Sequence, residues 1–81
     1  MYPVDTPQQL RFVLRSLRQS RGLTQAQLGE RMGVSQKRIA RIEGAPEVTS
    51  YDQIARIVNV LGYRLVAIES GPPQAREPTA W

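Results

Sequence analysis

The sequence contains no cysteine and no histidine. Those two absences remove much of the chemistry open to a small protein. No disulfide can staple the fold, and neither a zinc site built from its usual ligands nor a thiol–imidazole pair can be assembled. The missing cysteine fits a reducing interior. Aromatic residues are few, at 6%, and no uninterrupted apolar run approaches the roughly 20 residues of a membrane span. The opening MYPVDTPQQ lacks the basic-then-apolar order of a signal peptide. The acidic residues are scattered and no glycine-rich phosphate loop occurs, so an enzyme is the weakest expectation and no cofactor or metal is implied. What remains is a soluble, cytoplasmic protein of 81 residues, one small domain with a modest core.

What is present is arginine, unevenly placed. The net charge is +4, but residues 6–45 hold eight cations (Arg11, Arg15, Arg18, Arg21, Arg31, Lys37, Arg38, Arg41) against Glu30 and Glu43. Residues 46–81 carry three basic and four acidic residues. The positive charge thus lies on the front half, the distribution expected of a surface that meets a polyanion. A solvated basic surface is the plain alternative. Lys37 is the one lysine, and a preponderance of arginine favours phosphate and base recognition through the planar guanidinium fork.

Helix starts recur along the chain. Thr6-Pro7-Gln8-Gln9 places a threonine N-cap, a proline at the first helical position and a glutamine three after the cap. The helix runs to about Ser20 and stops near Gly22, with Leu10, Val13, Leu14 and Leu17 on one arc and Arg11, Arg15 and Arg18 alongside. Phe12 falls nearly opposite the core arc, either an ordinary exposed aromatic or a partner contact. Thr24 to Gln27 repeats the capping box and opens a second helix with Leu28 and Met32 inward, ended by Gly33. Val34 follows as an apolar plug and Ser35 caps a third helix, whose buried side carries Ile39 and Ile42. Gly44-Ala45-Pro46 closes it, and a loop leads to Ser50. Ser50 to Gln53 is a third capping box, opening a helix with Ile54, Ile57, Val58 and Leu61 inward and Gly62 at its end. The period then changes: Tyr63–Glu69 is short, β-favouring and bounded by glycines, which predicts a strand. Residues 70–81, with three prolines, read as a flexible tail.

The third helix carries the candidate chemistry. Ser35, Gln36, Lys37 and Arg38 stand at its start, with Arg41 one turn on. In a helix-turn-helix that position reaches base edges in the major groove. Glutamine can bond adenine bidentately, and lysine or arginine the acceptor pair of guanine. Two consecutive cations at a helix N-terminus oppose the helix dipole, a choice that makes sense opposite phosphates. Gln25, at the start of the second helix, is placed to hold a backbone phosphate, with Thr24 assisting. The competing readings are a solvated basic face and simple capping.

The segment Gln25 to Glu43, with Leu23-Thr24-Gln25 leading in, the Met32-Gly33-Val34 turn and Ile39 and Ile42 inside, resembles the lambda-repressor/Cro (XRE) class of helix-turn-helix. The resemblance implies that Gln25 touches phosphate and Gln36 touches adenine. Gly29 departs from the class, which more often has alanine there; it permits close packing and costs helix stability on the order of 1 kcal/mol.

A lone strand leaves backbone donors and acceptors unpaired, so Tyr63–Glu69 needs a mate. Met1–Val4 is short and contains Pro3. A second copy, paired antiparallel across a two-fold axis through Tyr63, Leu65, Val66, Ala67 and Ile68, is the favoured mate over packing on the chain's own helices. Such a homodimer would set two third helices roughly 34 Å apart and call for a palindromic operator in double-stranded DNA. Helical domain, strand, loose tail and terminal Trp81 together resemble HipB-type antitoxins over nearly the whole chain. That resemblance implies a dimeric repressor of its own operon, of the type II toxin–antitoxin kind, that binds and restrains a HipA-type serine/threonine kinase toxin, with Trp81 and Phe12 as candidate toxin contacts.

The expected fold is therefore mostly α: an arm (residues 1–5), a four-helix lambda-repressor-like helix-turn-helix domain (6–62), a dimerisation strand (63–69) and a tail (70–81). The function classes in contention are a DNA-binding repressor with a toxin partner, a stand-alone XRE-type regulator, and a protein-interaction module that does not bind DNA.

Overall fold

The computed structural model describes residues 1–73. Four helices form: α1 (Pro7–Ser20), α2 (Gln25–Met32), α3 (Gln36–Gly44) and α4 (Tyr51–Val60). A 3-10 turn, Pro46–Val48, occupies what the sequence suggested was plain loop between α3 and α4.

The helix starts follow from the caps. Thr6 and Thr24 each accept from the backbone N–H three residues on, and Gln9 and Gln27 each reach back to the cap's own N–H, closing both boxes. Ser35 and Ser50 cap α3 and α4 through their hydroxyls. The box expected at Ser50 is half made: Ser50 Oγ accepts from Gln53 N at 3.3 Å, and the return bond from the Gln53 side chain is absent among the described residues. That half is enough to satisfy one otherwise orphaned amide.

Three of the helices also end alike. After α1, α2 and α4 the chain turns through a left-handed glycine, Gly22, Gly33 and Gly62, with φ of 70, 73 and 88°. The next amide, from Leu23, Val34 or Tyr63, reaches back to the carbonyl of Arg18, Gly29 or Val58. This is the Schellman closure, whose turn favours a residue without a Cβ. In each case the residue after the glycine packs on the core, so a single local device ends the helix and pins the chain. Two arginines supplement it from a distance. Arg56 donates to Met32 O at 3.0 Å and Arg21 to Leu61 O at 2.8 Å, placing cations on carbonyls at the ends of α2 and α4.

At the centre each helix gives one apolar side chain that is no more than 1% exposed: Leu14, Leu28, Ile39 and Ile57. Val13, Leu17, Met32, Ile42, Ile54, Val58 and Leu61 complete the core, as the 3.6-residue periodicity predicts. Truncating any of the central four to alanine is worth about 2–5 kcal/mol. Helices α2 and α3 form the tightest pair. Gly29 shows why: a Cβ there would lie 2.6 Å from the Val34 backbone carbonyl. The close approach is thus between α2 and the turn that leads into α3, and it excludes even alanine at normal contact distance.

The region after α4 differs from expectation. Among the described residues there is no β-strand. Strand character is conferred by a backbone ladder, and no backbone hydrogen bond joins residues 63–69 to residues 1–5. The two ends instead meet through side chains: the Tyr2 and Tyr63 rings pack edge to face with centroids 6.1 Å apart. The Arg21 guanidinium covers the Tyr63 ring at 4.6 Å, and the Tyr63 hydroxyl lies 3.3 Å from Ser20 Oγ. Tyr63 and Leu65 lie against the core while Val66, Ala67 and Ile68 face solvent. No helix among the described residues is long and apolar enough to cross a membrane.

Candidate nucleic-acid interface

The first turns of α2 and α3 lie side by side because the Gly33 closure folds the chain back on itself between them. Their leading residues are Gln25 and Gln36, and the structure joins them: Gln36 Nε2 donates to Gln25 Oε1 at 2.7 Å. Gln25 Nε2 in turn donates to Glu43 Oε1 at 3.1 Å. Glu43 is 1% exposed, and Arg18 holds it through two parallel bonds, Nε to Oε2 at 2.6 Å and a terminal nitrogen to Oε1 at 3.1 Å. The other terminal nitrogen of Arg18 donates to Leu23 O at 2.8 Å. A continuous polar chain therefore runs from the backbone after α1, through a buried ion pair, to an exposed side chain at the start of α3. Buried charges are tolerated when paired in this bidentate manner and are costly when one partner is removed.

This chain corrects the reading of the basic arc on α1. Arg18 is 8% exposed and faces inward, so it is spent on Glu43 and adds nothing to the outer surface. Arg11 lies 3.7 Å from Glu47. Among the described residues these are the only two ion pairs. The outward positive charge of the front half falls to Arg15, Arg21, Arg31, Lys37, Arg38 and Arg41, all exposed, with Arg21 committed to Leu61 and Tyr63.

On α3 the buried residues are Ile39, Ile42 and Glu43. At about 100° per residue, Lys37 and Arg41 point away from that side, and Gln36 and Arg38 occupy the two margins of the exposed face. The five candidate base-readers thus share one solvent-facing surface, with Ser35 at its end as the cap: Ser35 Oγ accepts from Arg38 N at 3.1 Å. The Thr24 hydroxyl oxygen accepts from Gln27 N at 3.1 Å, leaving its proton to donate. Gln19, Thr24, Gln25, Ala26 and Gln36 contribute to an open groove of about 520 Å³. It lies at the α2 N-terminus, where unpaired amides and the helix dipole favour an anion.

Other candidates lie apart. Phe12 is 70% exposed on the outer side of α1, facing away from the core that holds α3. Trp81 lies outside the described residues. Tyr63, Leu65, Val66, Ala67 and Ile68 belong to the segment after α4.

Sequence reading missed Glu43 and Arg18. The signal was available in part: Glu43 follows Ile39 by four and Ile42 by one, which puts a carboxylate on the buried stripe of α3, where it requires a partner. Arg18 follows Leu14 by four, at the inner margin of α1.

Comparison with known families gives one result: a family model described as a helix-turn-helix domain matches residues 9–70. Comparisons with curated proteins and with solved structures give no match.

Proposed function

The chain belongs to the helix-turn-helix domain family, and from that premise we propose that it is a sequence-specific, DNA-binding transcriptional repressor acting as a homodimer. The observation that carries the reading is the exposed first turn of α3, Gln36, Lys37 and Arg38, set beside Gln25 at the start of α2. Gln25 and Thr24 fix the register on a phosphate; Gln36, Lys37, Arg38 and Arg41, with Ser35, face the bases and the flanking backbone in the major groove. The test is a gel shift on DNA from upstream of the chain's own gene. Binding is expected for the wild type and loss for Gln36→Ala/Lys37→Ala; unchanged binding by the double variant sinks the assignment of the reading helix. Arg41→Ala is expected to weaken binding and to reduce the slope of log affinity against log salt by about 0.9 if Arg41 holds a single phosphate.

Dimerisation is proposed through Tyr63–Glu69 paired with its copy. What supports it is the pattern of that segment: Tyr63 and Leu65 seated on the core, Val66 and Ile68 exposed at 62% and 56%, and unladdered backbone along its length. Two-fold pairing would match a palindromic operator.

A further layer, restraint of a HipA-type kinase toxin, rests on the resemblance of the layout to HipB-type antitoxins, with exposed Phe12 as a contact on the described part and Trp81 as the second. Co-expression with a HipA-type kinase gene found beside this one tests it: a stable complex weakened by Phe12→Ser supports an antitoxin, and no complex leaves a stand-alone regulator.

A further inference from the structure

We propose that the N-terminal arm, residues 1–5, is part of the surface on which a second copy of the chain docks. Tyr2 and Val4 extend the apolar face of Val66 and Ile68, and the arm serves that second copy rather than DNA. The proposal rests on the homodimer reading above and adds to it a segment outside Tyr63–Glu69.

One side chain joins the two ends of the described chain. The Tyr63 ring meets Tyr2 edge to face, with the ring planes at 87°, and carries the Arg21 guanidinium 4.6 Å from its centroid. Its hydroxyl lies at Ser20 Oγ, and Arg21 is held in turn by Leu61 O. Helix α1 has 14 residues and is about 21 Å long, with Ser20 at its far end. For Tyr2 to reach a ring seated there, the arm must lie back beside α1 rather than project beyond the Thr6 cap. Of the large apolar residues left exposed, Met1, Tyr2, Val4, Val66 and Ile68 belong to the two segments that meet at this contact. Val48 and Tyr51 belong to another flank. The 3-10 turn meets α1 at Arg11, and Ser20 lies about 180° around the helix from Arg11.

The chemistry of the arm selects its partner. Arms that enter a DNA groove read it with arginine, lysine or amide side chains. This one is Met-Tyr-Pro-Val-Asp, with no basic side chain, no amide side chain and one acidic residue. Nor does it complete a ladder with the segment beside it. No backbone hydrogen bond joins the two, and Pro3 has no amide to donate. The arm thus offers apolar side chains and leaves the Tyr63–Glu69 backbone open to a mate. That mate needs the additional area. Tyr63–Glu69 is roughly 23 Å long when extended, and a ribbon of two such strands is marginal by itself. A stable interface covers roughly 800 Å² on each partner. Two-fold symmetry brings both arms to the interface, so each apolar residue added to the patch counts twice.

Sedimentation of three full-length proteins tests this, with their folds checked by circular dichroism: the wild type, Tyr2→Ser/Val4→Ser and Val66→Ser/Ile68→Ser. The arm variant is expected to raise the dimer dissociation constant about tenfold or more. Because the chain lacks cysteine, Val4→Cys supplies a single thiol whose reaction with a maleimide reports its burial. It should react several-fold more slowly above the dissociation constant than well below it. A dimer weakened only because Tyr63 had lost its neighbour would leave that thiol unprotected, and equal reactivity in monomer and dimer overturns the proposal. An arm variant that dimerises as tightly as the wild type, while Val66→Ser/Ile68→Ser is monomeric, overturns it and leaves the pairing of Tyr63–Glu69 standing. If that dimeric arm variant also loses DNA affinity in the gel shift, the arm is a DNA contact instead. A wild type that is monomeric at micromolar concentration overturns the proposal through its premise, and then the dimer reading is what has failed.

Discussion

Residues 25–44 and residues 63–69 are of opposite kinds. The first region is complete within one chain. Its helices are capped at both starts, its turn is closed by Gly33, its buried carboxylate is paired with Arg18, and its exposed face is polar and cationic. The second is unfinished: it is anchored at Tyr63 and Leu65, then runs on with apolar side chains in solvent and backbone groups without a ladder. Under the proposed function, the first region would be the self-sufficient reading unit and the second the edge that a second copy completes.

The completeness of the first region depends most on Glu43. Glu43→Ala leaves Arg18 charged and buried without its partner, and about 3–5 kcal/mol of stability should be lost; urea unfolding measures it. Replacing both members with apolar residues, Arg18→Met/Glu43→Leu, should restore most of that stability, since a buried pair adds little net stability over a well-packed apolar one. A double variant as unstable as Glu43→Ala would contradict this.

Gly29 comes next. By helix propensity alone, alanine at an interior helical position should stabilise by up to about 1 kcal/mol. The 2.6 Å approach to the Val34 carbonyl predicts the opposite sign, a loss of about 1–3 kcal/mol. Thermal denaturation of Gly29→Ala decides between propensity and packing by sign alone.

The smallest effect on folding should come from the unfinished region. Val66→Ser/Ile68→Ser removes exposed side chains, so the free energy of unfolding of the single chain should change by no more than about 0.5 kcal/mol. Sedimentation should nevertheless show loss of the proposed dimer. A monomeric wild type at micromolar concentration would end the paired-strand proposal directly.

Most of the first region was legible in the sequence because its determinants are local. The threonine and serine caps, the glycine after each of α1, α2 and α4, and the apolar stripes each act within a few residues of where they are read. Glu43 and Arg18 were harder because they are 25 residues apart and each looks like an ordinary surface charge until the helices dock. Gly29 was read as permitting close packing of the two helices at some cost in helix stability; the close approach is there, but it is made by the backbone of the following turn. The 3-10 turn at Pro46–Val48 had no periodic signature to betray it. The strand expected at Tyr63–Glu69 depends on a neighbour that the single chain does not supply, so its β-favouring composition does not convert into a ladder within one copy.

The proposed base-reading role of α3 is tested most directly by a specificity ratio. Fluorescence anisotropy at one fixed salt concentration would compare a duplex enriched by the wild type with a scrambled duplex of the same length and composition. The expected ratio is about 10³ or more for the wild type, falling close to one for Gln36→Ala/Lys37→Ala while non-specific affinity drops only modestly. A wild-type ratio near one, or a ratio that survives the double substitution, would contradict the assignment of α3 as the reader.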